Sequence, residues 1–378
     1  LAFGQGVPGF QSLNPDISVI GDFLADLSPD EPRVTEDGRR FSLREVELGL
    51  QAVVDPYFRA DFFLALHGAE LHAEEAYVTA LSLPGELQAR IGTMALPMGK
   101  VNLTHRPELL TPEYPLAIRT YFGPEGFSGT GIGVSRIMAP LGFFQELQFL
   151  VLSGLEVEGH AHDHGTEDSG EGSHVHGEEG SEPLVGGDAR RGLEQLAFLG
   201  HFRSFYDLSV ATNLEVGLSA ALGTVERLEP TTGPADGSAD PPPDALRTFE
   251  AQRFYGVNAI VRWRPPGQAL YRSFLWSAEW FGHDGPESFV WGGFNHLQWQ
   301  TGRRTYLGVR LDAVQAPGFQ EAAVFGEGAG RHVHLDRFEG GEWMYAASGN
   351  VTFFPSEFSR FRLMAERAWG EGLDRDEK

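Results

Sequence analysis

The chain contains no cysteine, which excludes a disulfide scaffold and thiolate metal sites, though not an oxidising compartment. Cations are scarce: 29 Lys and Arg face 53 Asp and Glu, for a formal charge of −24. Phosphates would be repelled by such a chain, so nucleic acid is excluded as a partner. No apolar run reaches the roughly 18 residues of a transmembrane helix. The membrane stays open nonetheless, because barrel strands alternate apolar and polar residues and average to a near-neutral hydropathy. Catalytic signatures are missing as well. The sequence has no Gly-x-Ser-x-Gly, no Gly-x-x-x-x-Gly-Lys and no His-Glu-x-x-His, and Gly129–Gly133 opens a strand rather than a strand–helix turn. The chain is therefore expected not to be an enzyme.

What is abundant is the material of strands and turns: 48 Gly, 28 Phe, 7 Trp and 9 Tyr. Period-two alternation recurs along the whole chain. It predicts strands at Asp16–Leu27, Phe41–Val54, Phe58–His67, Ala73–Leu83, Leu87–Leu96, Phe127–Ile137, Phe143–Leu155, Leu193–Thr212 and Leu214–Val225. Six more follow at Phe249–Trp263, Leu270–Phe281, Phe289–Gln300, Arg304–Val314, Trp343–Phe354 and Phe358–Trp369. Short turns fall near 55, 84, 140, 213, 265, 302 and 355, and long or polar connections near 33, 70, 110, 170, 236, 284 and 328. A soluble sandwich has no reason to sort its connections by parity, whereas an up-and-down outer-membrane barrel does. The fold class is thus all-β, an antiparallel transmembrane barrel in the bacterial outer membrane, with lipid as its surroundings.

Each strand then has an apolar face for lipid and a wet face for the lumen. Val46, Leu48, Phe58, Phe62, Leu64, Phe361 and Leu363 fall on the lipid side. The lumen side collects Glu45, Glu47, Arg59, Asp61, Arg90, Arg203, Arg262, Arg310, Arg360, Arg362 and Glu366, both signs together, as ion pairs in the wall would require. Trp263, Trp280, Trp291, Trp299, Trp343, Phe354 and Trp369 gather near strand ends, where interfacial girdles form. Fifteen strands leave the count odd, and single-chain bacterial barrels close with even numbers. The expectation is one barrel domain over 1–378 that lacks a C-terminal strand of a barrel of about sixteen.

The chain resembles the porin-like outer-membrane proteins of Gram-negative bacteria. Within that group it is most similar to the plug-less single barrels described as zinc-regulated receptors. Asn14–Phe23 (NPDIS-x-x-GDF), His72–Thr79 (HAEEAYVT), Gly99–Leu109 (GKVNLTHRPEL) and an acidic histidine-rich segment carry the similarity. The resemblance implies passage or capture of a small solute or a metal ion.

That segment, within 157–189, is the most unusual stretch of the chain. His160, His162, His164, His174 and His176 stand among carboxylates including Asp163, with no Lys or Arg from Gly159 to Gly180. Such a composition cannot build a core and reads as a water-exposed extracellular loop. Neutral imidazoles at alternate positions would bind Zn²⁺, Cu²⁺ or Ni²⁺ weakly, with no tightly bound cofactor. His332 and His334 repeat the spacing as auxiliary ligands. His105 is a third candidate, grouped with His67 and His72 near the outward connections. The reading is a porin for small solutes with metal capture at its mouth, open to association with further copies of itself. Its rivals are a metal-scavenging or adhesion protein that uses the barrel as an anchor, and a secreted soluble β-protein.

Overall fold

The computed structural model describes residues 15–28, 40–67, 70–155, 195–229, 246–325, 332–338 and 340–371. Its strands are β1 (Asp16–Ala25), β2 (Phe41–Val53), β3 (Phe58–His67), β4 (Glu70–Leu83), β5 (Leu87–Ala95), β6 (Ser128–Met138), β7 (Gln145–Leu152), β8 (Ala197–Ser209) and β9 (Thr212–Glu229). Then come β10 (Leu246–Trp263), β11 (Phe274–Asp284), β12 (Phe289–Gln300), β13 (Thr305–Gln315), β14 (Phe319–Phe325), β15 (His332–Phe338), β16 (Trp343–Ser356) and β17 (Ser359–Trp369). Fifteen of them form one antiparallel sheet in chain order, β13 pairing directly with β16. Between those two, β14 and β15 make a separate hairpin. The long polar connection expected at 315–342 is therefore partly strand. Its two runs of seven residues alternate enough to pair with each other.

Alternation explains the sheet. Along β2, Glu45, Glu47 and Gly49 are buried while their neighbours are half-buried. On the opposite face of the sheet large apolar side chains stand free, Phe58 and Phe62 on β3 and Phe361 and Leu363 on β17 among them, the last two 68% exposed. Exposed apolar surface on this scale suits hydrocarbon rather than water. Rings bracket it at both ends. Trp263 stacks on Trp299 at the short-turn end. Trp280, Trp291, Trp343, Tyr345 and Trp369 form a chain of ring contacts at the other end. Trp291 and Trp299 lie eight residues apart on β12, about 27 Å along an extended strand.

One turn differs from expectation. The β8–β9 reversal is at Val210-Ala211, and Asn213 is already paired with Asp207. Ladder pairing outweighs the local turn preference of Asn at that position.

The decisive element for the interior is the connection between β5 and β6. It carries α1 (Leu116–Phe122), begun after Pro115 and ended at Gly123, where φ is +93° and a residue without Cβ is favoured. This segment touches β2 through Arg44–Glu113, β9 through Pro97, β11 through Glu279, β13 through Asp312 and β17 through Arg362. Only a segment lying inside a curled sheet reaches strands so far apart in the order. The two ends of the sheet also approach each other, with Arg362 Nη2 3.9 Å from Asp22 Oδ1. Among the described residues no backbone ladder joins β1 to β17.

Candidate functional site

The inward segment is fixed at its root by residues of Gly99–Leu109. Gly99 has φ +75°, and a Cβ there would lie 2.1 Å from Glu279 Oε2. Without that Cβ, the backbone N–H groups of Lys100 and Val101 approach and donate to the buried Glu279 carboxylate at 3.0–3.1 Å. Asn102 is buried and closes the neck of the loop. Its amide donates to Leu96 O and Phe127 O, and its carbonyl accepts from Phe127 N, all at 2.7–2.8 Å. Arg106 donates to Pro124 O at 2.7 Å, and Tyr114 to Thr104 O at 2.9 Å.

Past the neck, the segment has two sides. On one, α1 sits in an apolar seat. Phe122 stacks on Phe127 with centroids 4.7 Å apart and meets Phe254 and Phe281 at 5.4 Å. Burying each such side chain contributes about 1.5–3 kcal/mol. On the other side the contacts are ionic. Arg44 pairs with Asp22 and with Glu113. Arg310, 1% exposed, donates to Asp312, Thr111 and Glu366 at 2.7–2.9 Å. Arg362 donates to Leu109 O and Thr111 O at 2.6 and 2.9 Å, and Arg360 to Glu108 O at 3.4 Å. Asp312 accepts from Leu116 N at 2.9 Å and so holds the first turn of α1.

Two β-bulges load charge onto this side. Asp22 is opposite Glu45 and Phe23 opposite Leu43, so Arg44 is the extra residue of β2. Phe63 is opposite Glu75 and Leu64 opposite Ala73, so Glu74 is the extra residue of β4. A bulge puts successive side chains on one face. Arg44 and Glu45, and likewise Glu74 and Glu75, thereby both point inward, where His105 meets the latter two. His105 Nδ1 stands 3.1 Å from Glu47 Oε2 and 3.2 Å from Glu74 Oε2, and Nε2 3.8 Å from Glu75 Oε1. Its ring lies 4.5 Å from that of Phe63. Burial opposes charge on this imidazole, but hydrogen bonding to Glu47 and Glu74 and the nearby carboxylates outweigh it and push its pKa up to about 10.

The remaining lumen candidates are distributed as follows. Arg59 donates to Asp61 at 2.7 and 2.9 Å, and Arg90 lies over the Tyr77 ring at 4.4 Å. Arg203 donates to Glu146 at 2.5 Å and Arg262 to Glu215 at 2.8 Å. Glu366 takes Arg310 and Arg119. His160, His162, Asp163, His164, His174 and His176 lie outside the described residues. The backbone places His332 and His334 on β15, with their side chains undescribed. His105 lies away from an outward connection, turned inward onto the β2 and β4 carboxylates, and the side chain of His67, which was grouped with it, lies outside the described residues. Glu74 and Glu75 were missed from the sequence because strict alternation sends adjacent residues to opposite faces. The run of two acids in a strand otherwise able to alternate was the signal for a bulge.

No family model matches the chain. A protein of Aquifex aeolicus, named only as uncharacterised, is 33% identical over 118 residues, 31% of this chain. The match spans 24% of that relative, about a quarter of its length. Two solved structures are similar over nearly the whole chain. One is OmpT, an outer membrane protein of Vibrio cholerae folded in vitro, with a TM-score of 0.51 and 7% identity, covering 94% of this chain and 87% of that one. The other is OprB of Pseudomonas putida, with a TM-score of 0.50 and 10% identity, covering 93% of this chain and 88% of that one. The likeness is one of fold: this chain is an all-β protein whose single antiparallel sheet of fifteen strands matches the porin barrels of the bacterial outer membrane.

Proposed function

We propose that the chain is a channel for small hydrophilic solutes in the outer membrane of a Gram-negative bacterium, narrowed from within by the segment between β5 and β6. The observation that carries this reading is that segment, tied to strands around the whole sheet while the opposite face of the strands is apolar. A wall that served only as an anchor would have no need of charged groups aimed at its interior. A solute would pass the ionic side, along Asp22, Arg44, Glu47, Glu74 and Arg362, because the other side is filled by the apolar seat of α1. Glu45, Glu47, Glu74 and Glu75 bias that wall towards cations. The histidine-rich span 157–189 adds a metal-linked part to the reading. Its imidazoles and carboxylates would concentrate divalent ions at the mouth, in keeping with the resemblance to zinc-regulated receptors.

The test is reconstitution of the refolded chain in a planar lipid bilayer under a KCl gradient. Stepwise conductance with a reversal potential favouring K⁺ is expected. A protein that inserts and gives no conductance is an anchor, and a preference for Cl⁻ would remove the acidic side from the path.

A further inference from the structure

We infer that Glu47, Glu74 and His105 form a binding site for one divalent transition cation inside the barrel, at the junction of β2, β4 and the inward segment. One ligand atom from each of the three lies within 4.8 Å of the other two. Ligands about 2.0–2.1 Å from a tetrahedral ion stand about 3.3 Å apart. The separations of His105 Nδ1 from the Glu47 and Glu74 oxygens, 3.1 and 3.2 Å, already have that edge length. A single N–H cannot serve two carboxylates well, whereas one cation placed between the three serves all of them. The other ring nitrogen faces Glu75 at 3.8 Å. That is the arrangement in which a second carboxylate orients a metal-bound imidazole. Glu75 is itself held by Ala95 N–H at 3.2 Å.

A second observation is independent of these contacts. Glu45 is 0% exposed, and neither of its carboxylate oxygens has a hydrogen-bond partner among the described residues. Its electrostatic neighbours are Glu74, Arg106, Glu47 and Arg44. Arg44 is engaged by Asp22 and Glu113, and Arg106 donates to Pro124 O. A buried carboxylate left in this state is costly. Three carboxylates thus converge on one imidazole, with the buried Glu45 beside Glu47 and Glu74, and a bound cation would take the place of the proton that the imidazole holds among them. One imidazole with oxygen donors suits Zn²⁺ and its neighbours better than Ca²⁺ or Mg²⁺, which take oxygen ligands. The ion would cross-link the inward segment to the wall and fix the width of the passage there.

The site is separable from the five histidines of Gly159–Gly180 and needs no current to detect. The full chain, refolded in detergent and stripped with a chelator, is titrated with Zn²⁺ by calorimetry. A variant with His160, His162, His164, His174 and His176 all changed to Ala is titrated beside it. One site per chain is expected to persist in the five-alanine variant. Glu74→Gln and His105→Ala in that background should each weaken it about tenfold or more. Zinc X-ray absorption should show one nitrogen and at least two oxygens around the ion. Heat-modifiable gel migration reports folding, and the near-isosteric Glu74→Gln decides the matter if His105→Ala does not fold. Disappearance of all zinc binding with the five histidines, or full affinity in Glu74→Gln, overturns the proposal. Equal affinity for Mg²⁺ would also overturn the assignment to a transition cation.

Discussion

The inward segment is held in two different ways on its two sides. Towards β7–β13 it presents Leu109, Ile118, Tyr121 and Phe122 to an apolar seat made by Leu152, Leu199, Phe254, Phe281 and Phe294. Towards β2, β4 and β17 it meets Arg44, Glu47, Glu74, Arg360 and Arg362. Apolar burial is non-directional and is not screened by ionic strength. Ion pairs in a wet interior depend on geometry, counterions and ionic strength. The apolar side fixes where the segment sits, and the ionic side leaves a polar wall whose charge a solute or an ion can read. The proposed channel would need both, since a loop held only by charges would move with salt and one held only by apolar packing would seal the lumen.

Four expectations break or sharpen that contrast. The largest effect belongs to the apolar seat. Phe122→Ala empties the centre of the ring cluster formed with Phe127, Phe254 and Phe281 and should cost about 3–5 kcal/mol, read from denaturant unfolding of the refolded protein in detergent. A loss below about 1 kcal/mol would show that the seat does not anchor the segment. Next is the lipid-facing back of the ionic side. Leu48 shares β2 with Glu47 on the opposite face, and Leu48→Arg should cost roughly 2–4 kcal/mol if it lies near the midplane, measured as folding efficiency into vesicles. A neutral result would contradict the membrane orientation of the strand.

Asn102→Ala probes the neck between the two sides. It removes buried hydrogen bonds to Leu96, and both ways to Phe127, at a cost of about 1–3 kcal/mol. Proteolysis within the segment should accelerate while the strands stay protected; unchanged cleavage would leave the neck without a role. The smallest effect is expected outside both sides. Deletion of Gly159–Gly180 should shift unfolding by less than about 1 kcal/mol, because loop closure entropy changes slowly with length. The same deletion should remove weak Zn²⁺ sites, and unchanged total binding would make those histidines incidental.

Much of the sheet was legible because strand alternation is local. Phe58–His67 and Phe289–Gln300 have the same bounds in the sequence pattern and in the structure. Others differ by a few residues at their ends, as β9 and β10 do where their ladder runs on to pair Glu229 with Leu246. The parity of short and long connections carried the barrel itself. The inward segment was not legible. Its five prolines and lone histidine read as an ordinary long connection, and nothing in Pro97–Gly126 by itself says which way a loop folds. The bulges at Arg44 and Glu74 were missed too, since a single extra residue leaves the hydrophobic pattern on either side looking regular and only the paired acids Glu74 and Glu75 hint at one of them.

The sequence alone therefore determined the class of fold, the count of strands in the sheet and the faces of most strands, because each follows from the period of side chains along a few consecutive residues. Tertiary structure decided where the charges meet. His105 is thirty residues from Glu75 and fifty-eight from Glu47, and their contact depends on register shifts in two ladders and on a loop turning inward. Those are choices between nearly equal local conformations. They are settled only when the apolar seat of α1 and the carboxylate of Glu279 capture the segment from the far side of the barrel.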